Sequence, residues 1–147
     1  MIKLQWKPLT ETAKAPAKAH PQDAAYDLFA DLPNGPITVL RGQTVVIPTG
    51  VAIMPPEGWS CDIRGRSGMS SKGKIVALGL VDAYYTGPWG VILTNTSTYN
   101  DIDINHHDKI AQFTVNRVNE SELERVEAFD IPTNARGAGG FGSTGHK

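Results

Sequence analysis

"KIAQFTVNRV", residues 109–118, decides the fold class. Ile110, Gln112 and Thr114 alternate with Ala111, Phe113 and Val115, and a period of two belongs to a strand with one face buried. Shorter β-rich runs repeat the signal: "ITVL" at 37–40, "TVVIPTGVAIMPP" at 44–56, "KIVAL" at 74–78 and "WGVILTN" at 89–95. Turn chemistry separates them, in "LPNGP" at 32–36, "PPEGW" at 55–59 and "TSTYNDIDINHHD" at 96–108. Fifteen glycines and ten prolines keep the pieces short, and no stretch of a dozen residues holds a helical period. Many short strands with regular turns predict an all-β sandwich, barrel or jelly roll. "SELERVEAF" at 121–129 is the one helix-like candidate, through Leu123, Val126 and Phe129, and a strand there fits equally well. "KAPAKAHPQDAA" at 14–25 reads as an extended loop.

Bulk properties narrow the class. A chain of 147 residues is one domain by default and long enough to bury a real core. The formal net charge of -1 gives no general attraction to nucleic acid or anionic membrane. Cys61 is the single cysteine, so no intrachain disulfide or thiolate metal site can form, and a reducing compartment is expected. "MIKLQWKPLT" has no apolar h-region, and no run approaches the roughly 18–20 apolar residues of a membrane span. The expectation is a soluble intracellular protein.

Five segments carry residues suited to chemistry. In "RGRSGMSS", 64–71, Arg66, Ser67 and Gly68 combine a guanidinium fork, a hydroxyl and an approachable backbone, which together suit an anion; a glycine turn with a surface arginine is the plainer reading. In "GLVDAYYTGPWGVILTN", 79–95, Asp82 at a strand end suits a general base or a turn cap. Tyr85 suits a ring against a sugar or a half-buried strand aromatic. Asp27 in "AAYDLFA" lies among apolar neighbours, where a charge needs partners. Gln112 is polar within a strand, as an outward position would explain. Residues 134–147, "NARGAGGFGSTGHK", hold five glycines with Arg136, Phe141, Ser143 and Thr144. His106 and His107 suggest a metal at first sight, but neighbouring histidines in a strand face opposite ways, so "YNDIDINHHD" at 99–108 reads as a solvated loop.

Taken in order, these segments resemble the trimeric dUTPase family. The aspartate segment, the Arg-Ser-Gly turn, Asp82 with Tyr85, Asp-Lys-Ile-Ala-Gln and the Arg-Gly-x-Gly-Gly-Phe-Gly-Ser-Thr-Gly ending span residues 24–145. The resemblance implies a distorted jelly roll of residues 1–133, a homotrimer, and a flexible lid at 134–147. It implies hydrolysis of dUTP to dUMP and diphosphate with Mg²⁺ held by the substrate's phosphates, at sites shared between subunits. By position, Asp82 is the water-activating base. Arg66, Ser67, Gly68 and Gln112 hold the phosphates, and Tyr85 underlies the deoxyribose. A strand hairpin at about 76–82, with Gly79, Leu80 and Val81, offers backbone groups to uracil. Phe141 stacks on the base, Arg136 meets the γ-phosphate, and Gly142, Ser143 and Thr144 complete the lid. Asp27 supports the metal's water network or the architecture from outside direct coordination.

The match has departures. The family commonly shows Asp-x-Asp-Tyr, whereas Tyr84 holds the second acidic position here. Thr86 stands where arginine or glutamine is frequent, and the hairpin looks shortened. Three rivals follow. A dCTP deaminase needs a glutamate in the strand after Asp82, and "WGVILTN" has none. A regulatory protein of this fold would engage a partner through the 99–108 loop. A capsid jelly roll would have no use for the five segments. The cytoplasm, a host's if a virus encodes the chain, is the implied location.

Overall fold

The computed structural model describes residues 1–140, Gly142 and Gly145. It is all-β apart from one turn of helix. The strands are β1 (Gln5–Pro8), β2 (Ala25–Phe29), β3 (Ile37–Val39), β4 (Thr44–Pro48), β5 (Val51–Met54) and β6 (Trp59–Arg64). After α1 (Ser67–Ser70) come β7 (Lys74–Val76), β8 (Gly79–Val81), β9 (Gly90–Asn95), β10 (Ile102–Ile104) and β11 (Lys109–Arg117). They form a four-stranded sheet β2-β11-β6-β8, a three-stranded sheet β4-β9-β7, and the pairs β1-β5 and β10-β3. Every ladder among the described residues is antiparallel. This is the distorted jelly roll the strand pattern and the resemblance anticipate.

The inward faces meet in one core. Phe113 stacks on Tyr26 at 5.2 Å between centroids and takes the edge of Trp89 at 5.0 Å, arrangements that suit the ring quadrupoles. Leu28, Ile47, Ile53, Val91, Leu93 and Ile110 fill the space around them. The polar group at its edge is fully satisfied. Buried Asn95 donates to the carbonyls of Val39 (3.0 Å) and Asn100 (2.9 Å) and accepts from the Ser97 N–H (2.9 Å), so it ties β9 to β3 and the following loop.

Three sequence readings need correction. Alternation placed Ile110 on the face of Gln112, yet Ile110 and Ala111 are both buried. The register slips between Lys109 and Ala111; this bulge adds one residue on β11 and returns Lys109 to the Gln112 face. Residues 121–129 form neither helix nor strand. Leu123 and Phe129 are exposed, and a short helix without a packed face is marginal. The 96–108 segment is not all loop, because β10 pairs with β3 and buries Ile102 and Ile104.

The histidines also depart from expectation. His106 and His107 leave β10 before the chain reaches β11, with His107 at φ 65°, and their rings lie together at 3.7 Å between centroids. His106 Nδ1 accepts the Leu32 N–H (2.9 Å), and His107 Nε2 meets the Thr12 carbonyl (2.7 Å). Beside them Asp31 is buried and accepts from Thr10 and Thr12, each at 2.6 Å. Burial pushes the Asp31 carboxyl upward, but those two hydroxyls and the adjacent histidines outweigh it and hold the group below its ordinary range. The cluster fastens the segment after β1 to the end of β2.

Candidate functional site

Residues in register on three neighbouring strands build one cleft. Asp27 of β2 lies opposite Gln112 of β11, and Gln112 lies opposite Arg64 of β6. Side chains in register share a face, so this row defines a polar floor. The Asp27 carboxylate is divided between two cations: Oδ1 lies 3.2 Å from Arg66 Nε and Oδ2 lies 2.8 Å from Lys109 Nζ. Because Arg66 is held through Nε, the Nη fork remains to face outward. Gln112 Nε2 donates to the Gly65 carbonyl (2.9 Å) and fixes the turn from which Arg66 leaves. The cleft encloses about 480 Å³, with Arg64, Arg66 and Lys109 facing Asp23 and Asp27. Cations outnumber carboxylates there, and the Arg fork suits a phosphate.

Ser67 and Gly68 open α1 next to this cleft. Arg66 is the extended N-cap residue (φ -97°, ψ 140°), and buried Met69 anchors the turn. The first N–H groups of such a turn have no partner within the helix. A Cβ on Gly68 would meet nothing within 4 Å. Neither packing nor a positive φ requires glycine at 68.

A second cleft, of about 370 Å³, gathers Gly79, Leu80 and Val81 of β8 with Asp82, Tyr85, Val46 and Ile92. Asp82 follows β8 in a tight corner: the Tyr85 N–H donates to the Asp82 carbonyl (3.3 Å). The Tyr85 hydroxyl donates to the Pro88 carbonyl (3.2 Å). Its ring crosses Gly87, where a Cβ would come within 2.6 Å of Tyr85 Cζ. The expected hairpin at 76–82 is absent. β7 pairs with β9 and β8 pairs with β6, so Ala77 and Leu78 bridge two sheets, and the backbone that faces the cleft is an outer strand of the larger sheet.

These two groups do not meet within one chain. Val81 pairs with Cys61, and Gly79 pairs with Ile63, so Asp82 is level with Ser60 while the cations begin at Arg64. At roughly 3.3 Å per residue, Ser60 and Arg64 stand about 13 Å apart. Asp27, Arg66, Ser67, Gly68 and Gln112 therefore cluster at one end of the β6–β8 pair, and Asp82 with Tyr85 at the other.

The ending is only partly described. Arg136 is exposed and Gly137 and Gly142 hold positive φ of 59° and 88°, a conformation that glycine adopts readily. Phe141, Ser143 and Thr144 lie outside the described residues. Sequence reasoning missed Arg64 and Lys109. A lysine opening a strand looks ordinary until the bulge turns it, and "WSCDIR" at 59–64 was not read as a strand. Among the described residues no group of three or more His, Cys, Asp or Glu gathers as for a metal.

Comparison with known proteins supplies the remaining observation. The dUTPase family model matches residues 11–145. The deoxyuridine 5'-triphosphate nucleotidohydrolase of Solanum lycopersicum is 39% identical over 140 residues, covering 95% of this chain and 79% of that protein. A variant dUTPase of Staphylococcus bacteriophage 80alpha, with dUpNHpp, is 27% identical with a TM-score of 0.85, covering 99% of this chain and all of the other. A variant dUTPase from phage phi11 of S. aureus, described for the coordination of a structural Mg(II) ion, is 29% identical with a TM-score of 0.79, covering 88% of this chain and all of the other.

Proposed function

The chain belongs to the dUTPase family and hydrolyses dUTP to dUMP and diphosphate, and we propose that it does so at sites assembled between the subunits of a homotrimer. The observation that carries this reading is the distance between Asp82 and the cationic cleft along β6 and β8. One chain cannot bring both to a single phosphorus atom, whereas Asp82 of one subunit can face Arg66 of the next. Apolar Leu78 and Leu80, 69% and 66% exposed in the single chain, supply surface for a neighbour to cover.

In this reading Asp82 takes a proton from the water that attacks the α-phosphorus. The α–β bridging bond breaks and diphosphate leaves. Arg66, Ser67, Gly68 and Gln112 hold the phosphate chain, joined by Arg64 and Lys109, and offset the charge that develops on the leaving group. Asp27 keeps Arg66 and Lys109 spaced. The outer edge of Gly79–Val81 meets the uracil edge, and Tyr85 underlies the deoxyribose. Arg136, Phe141, Gly142, Ser143 and Thr144 close over the nucleotide as a lid. Mg²⁺, when bound, neutralises phosphate charge. With both Asp27 oxygens engaged by cations, the chain's residues suit a metal carried by the substrate better than one held by side chains. No helix among the described residues is long and apolar enough to cross a membrane, and the cytoplasm is the proposed location.

Two inactive chains test the shared site. Asp82→Asn and Arg66→Ala proteins, each near zero alone, regain activity when unfolded and reassembled together, because some sites then pair an intact Asp82 with an intact Arg66. Light scattering that gives a monomer with full activity would refute the trimer. Product analysis with dUTP, dCTP, UTP and dTTP separates the hydrolase from the deaminase. A regulatory protein without turnover would yield no diphosphate from any of them.

A further inference from the structure

We propose that Tyr84 is a positioning residue, holding the Asp82–Tyr85 corner in a strained left-handed turn that sets the direction of the Asp82 carboxylate; this rests on Asp82 as the base. Tyr84 is the second central residue of the turn closed by the Tyr85 N–H and the Asp82 carbonyl (3.3 Å), and its φ is 65°. Glycine or asparagine favours that position, and a bulky aromatic residue is strained there. Aspartate tolerates it better than tyrosine, which gives a physical sense to the Asp-x-Asp-Tyr pattern that this chain resembles but does not keep.

A strained residue persists when its surroundings over-determine it, and two contacts do so here. The Tyr84 N–H donates to the Pro55 carbonyl (2.9 Å). The Tyr84 hydroxyl donates to Glu57 Oε2 (3.4 Å). Both partners lie in the connection from β5 to β6, so that connection braces the corner from behind. Glu57 and Asp82 line one open cleft together with Trp59 and Arg117. Glu57 also raises the Tyr84 phenol above its ordinary value by its negative charge, so the hydroxyl remains a donor through neutral pH. Asp82 itself is exposed and has no side-chain clamp among the described contacts, which leaves the backbone corner to aim it.

Three substitutions at one position test this, measured by steady-state kinetics with dUTP and by thermal unfolding. Tyr84→Val removes the brace and resists positive φ; a misdirected base lowers kcat by about 10- to 100-fold with KM within threefold. Tyr84→Phe keeps the strain and loses the Glu57 contact, for an intermediate loss of kcat. Tyr84→Asn relieves the strain and recovers most of the rate. Should Tyr84→Val fail to fold, the Phe and Asn pair carries the test, because a merely structural role would rank them by unfolding temperature rather than by kcat. Wild-type kcat in both Tyr84→Val and Tyr84→Phe, or equal damage from Tyr84→Asn, overturns the proposal. A wild-type protein that releases no diphosphate from dUTP overturns instead the reading on which it rests.

Discussion

Gly87→Ala separates the pose of Tyr85 from the stability of the fold. A Cβ at 87 would lie 2.6 Å from Tyr85 Cζ and 3.0 Å from Cε2. The Tyr85 hydroxyl would lie closer still, and ordinary contact begins near 3.4 Å, so the ring must retreat by at least about 0.8 Å. Tyr85 is 45% exposed and has room to move, but the retreat breaks its 3.2 Å bond to the Pro88 carbonyl. Gly87 has no positive φ, so alanine is compatible with its backbone. The lost freedom of the unfolded chain is then worth about 0.4–1 kcal/mol in favour of the variant. Misplacing a substrate-facing group by about 1 Å costs up to ~100-fold in rate, or about 2.7 kcal/mol of barrier. The expected result is an unfolding temperature equal to or above wild type, with kcat/KM for dUTP down by about 10- to 100-fold. Preference for dUTP over UTP weakens in parallel, because the ring no longer fills the place of a 2′-hydroxyl. Steady-state kinetics with both nucleotides, beside calorimetry, gives the answer. Wild-type kcat/KM and an unchanged nucleotide preference would refute the argument that Gly87 seats the ring.

Other perturbations probe the base, the lid and the buried carboxylate. Asp82→Asn lowers kcat by far more than tenfold, a loss above about 1.4 kcal/mol, while a non-hydrolysable dUTP analogue still binds by calorimetry; retention of a tenth of the rate would dismiss Asp82 as the base. Truncation after Asn134 removes no strand of the core, so the unfolding temperature stays near wild type while turnover falls by orders of magnitude; a large thermal shift would count against a lid. For Asp31, the folded carboxyl lies below its ordinary value of 3.8. Its contribution is therefore complete above that value and fades as the pH falls through the lower folded one. Asp31→Asn should be less stable than wild type at neutral pH, and the two denaturation curves should converge in acid; a constant gap from pH 7 down to pH 2 would contradict it.

The sequence announced its strands where alternation was clean. Phe113 and Val115 face in and Thr114 faces the site side, as the period of two requires. Ile110 broke the pattern because a bulge is a property of two paired strands, and β2 lies more than eighty positions away. β10 was hidden for a related reason. Ile102 and Ile104 are flanked by Asp101, Asp103 and Asn105, and only pairing with β3 buries them. Residues 121–129 carried a helical spacing with no surface to receive it. The candidate site residues formed an ordered set through the family resemblance, whereas their separation into two clefts was not legible, since that depends on which end of β6 each strand meets.

The row Asp27–Gln112–Arg64 also dictates an order of events. β2 and β6 emerge early in synthesis, but both depend on β11 for their shared ladder. Until residues 109–117 arrive, each has an unpaired edge able to pair with another chain. Closing so long a loop is slow in a mostly non-local fold, so nascent or refolding chains pass through an interval in which two sticky edges are open and the cationic cleft does not yet exist. The final long strand closes both the sheet and the cationic cleft, and these two edges stay open until that cleft has formed.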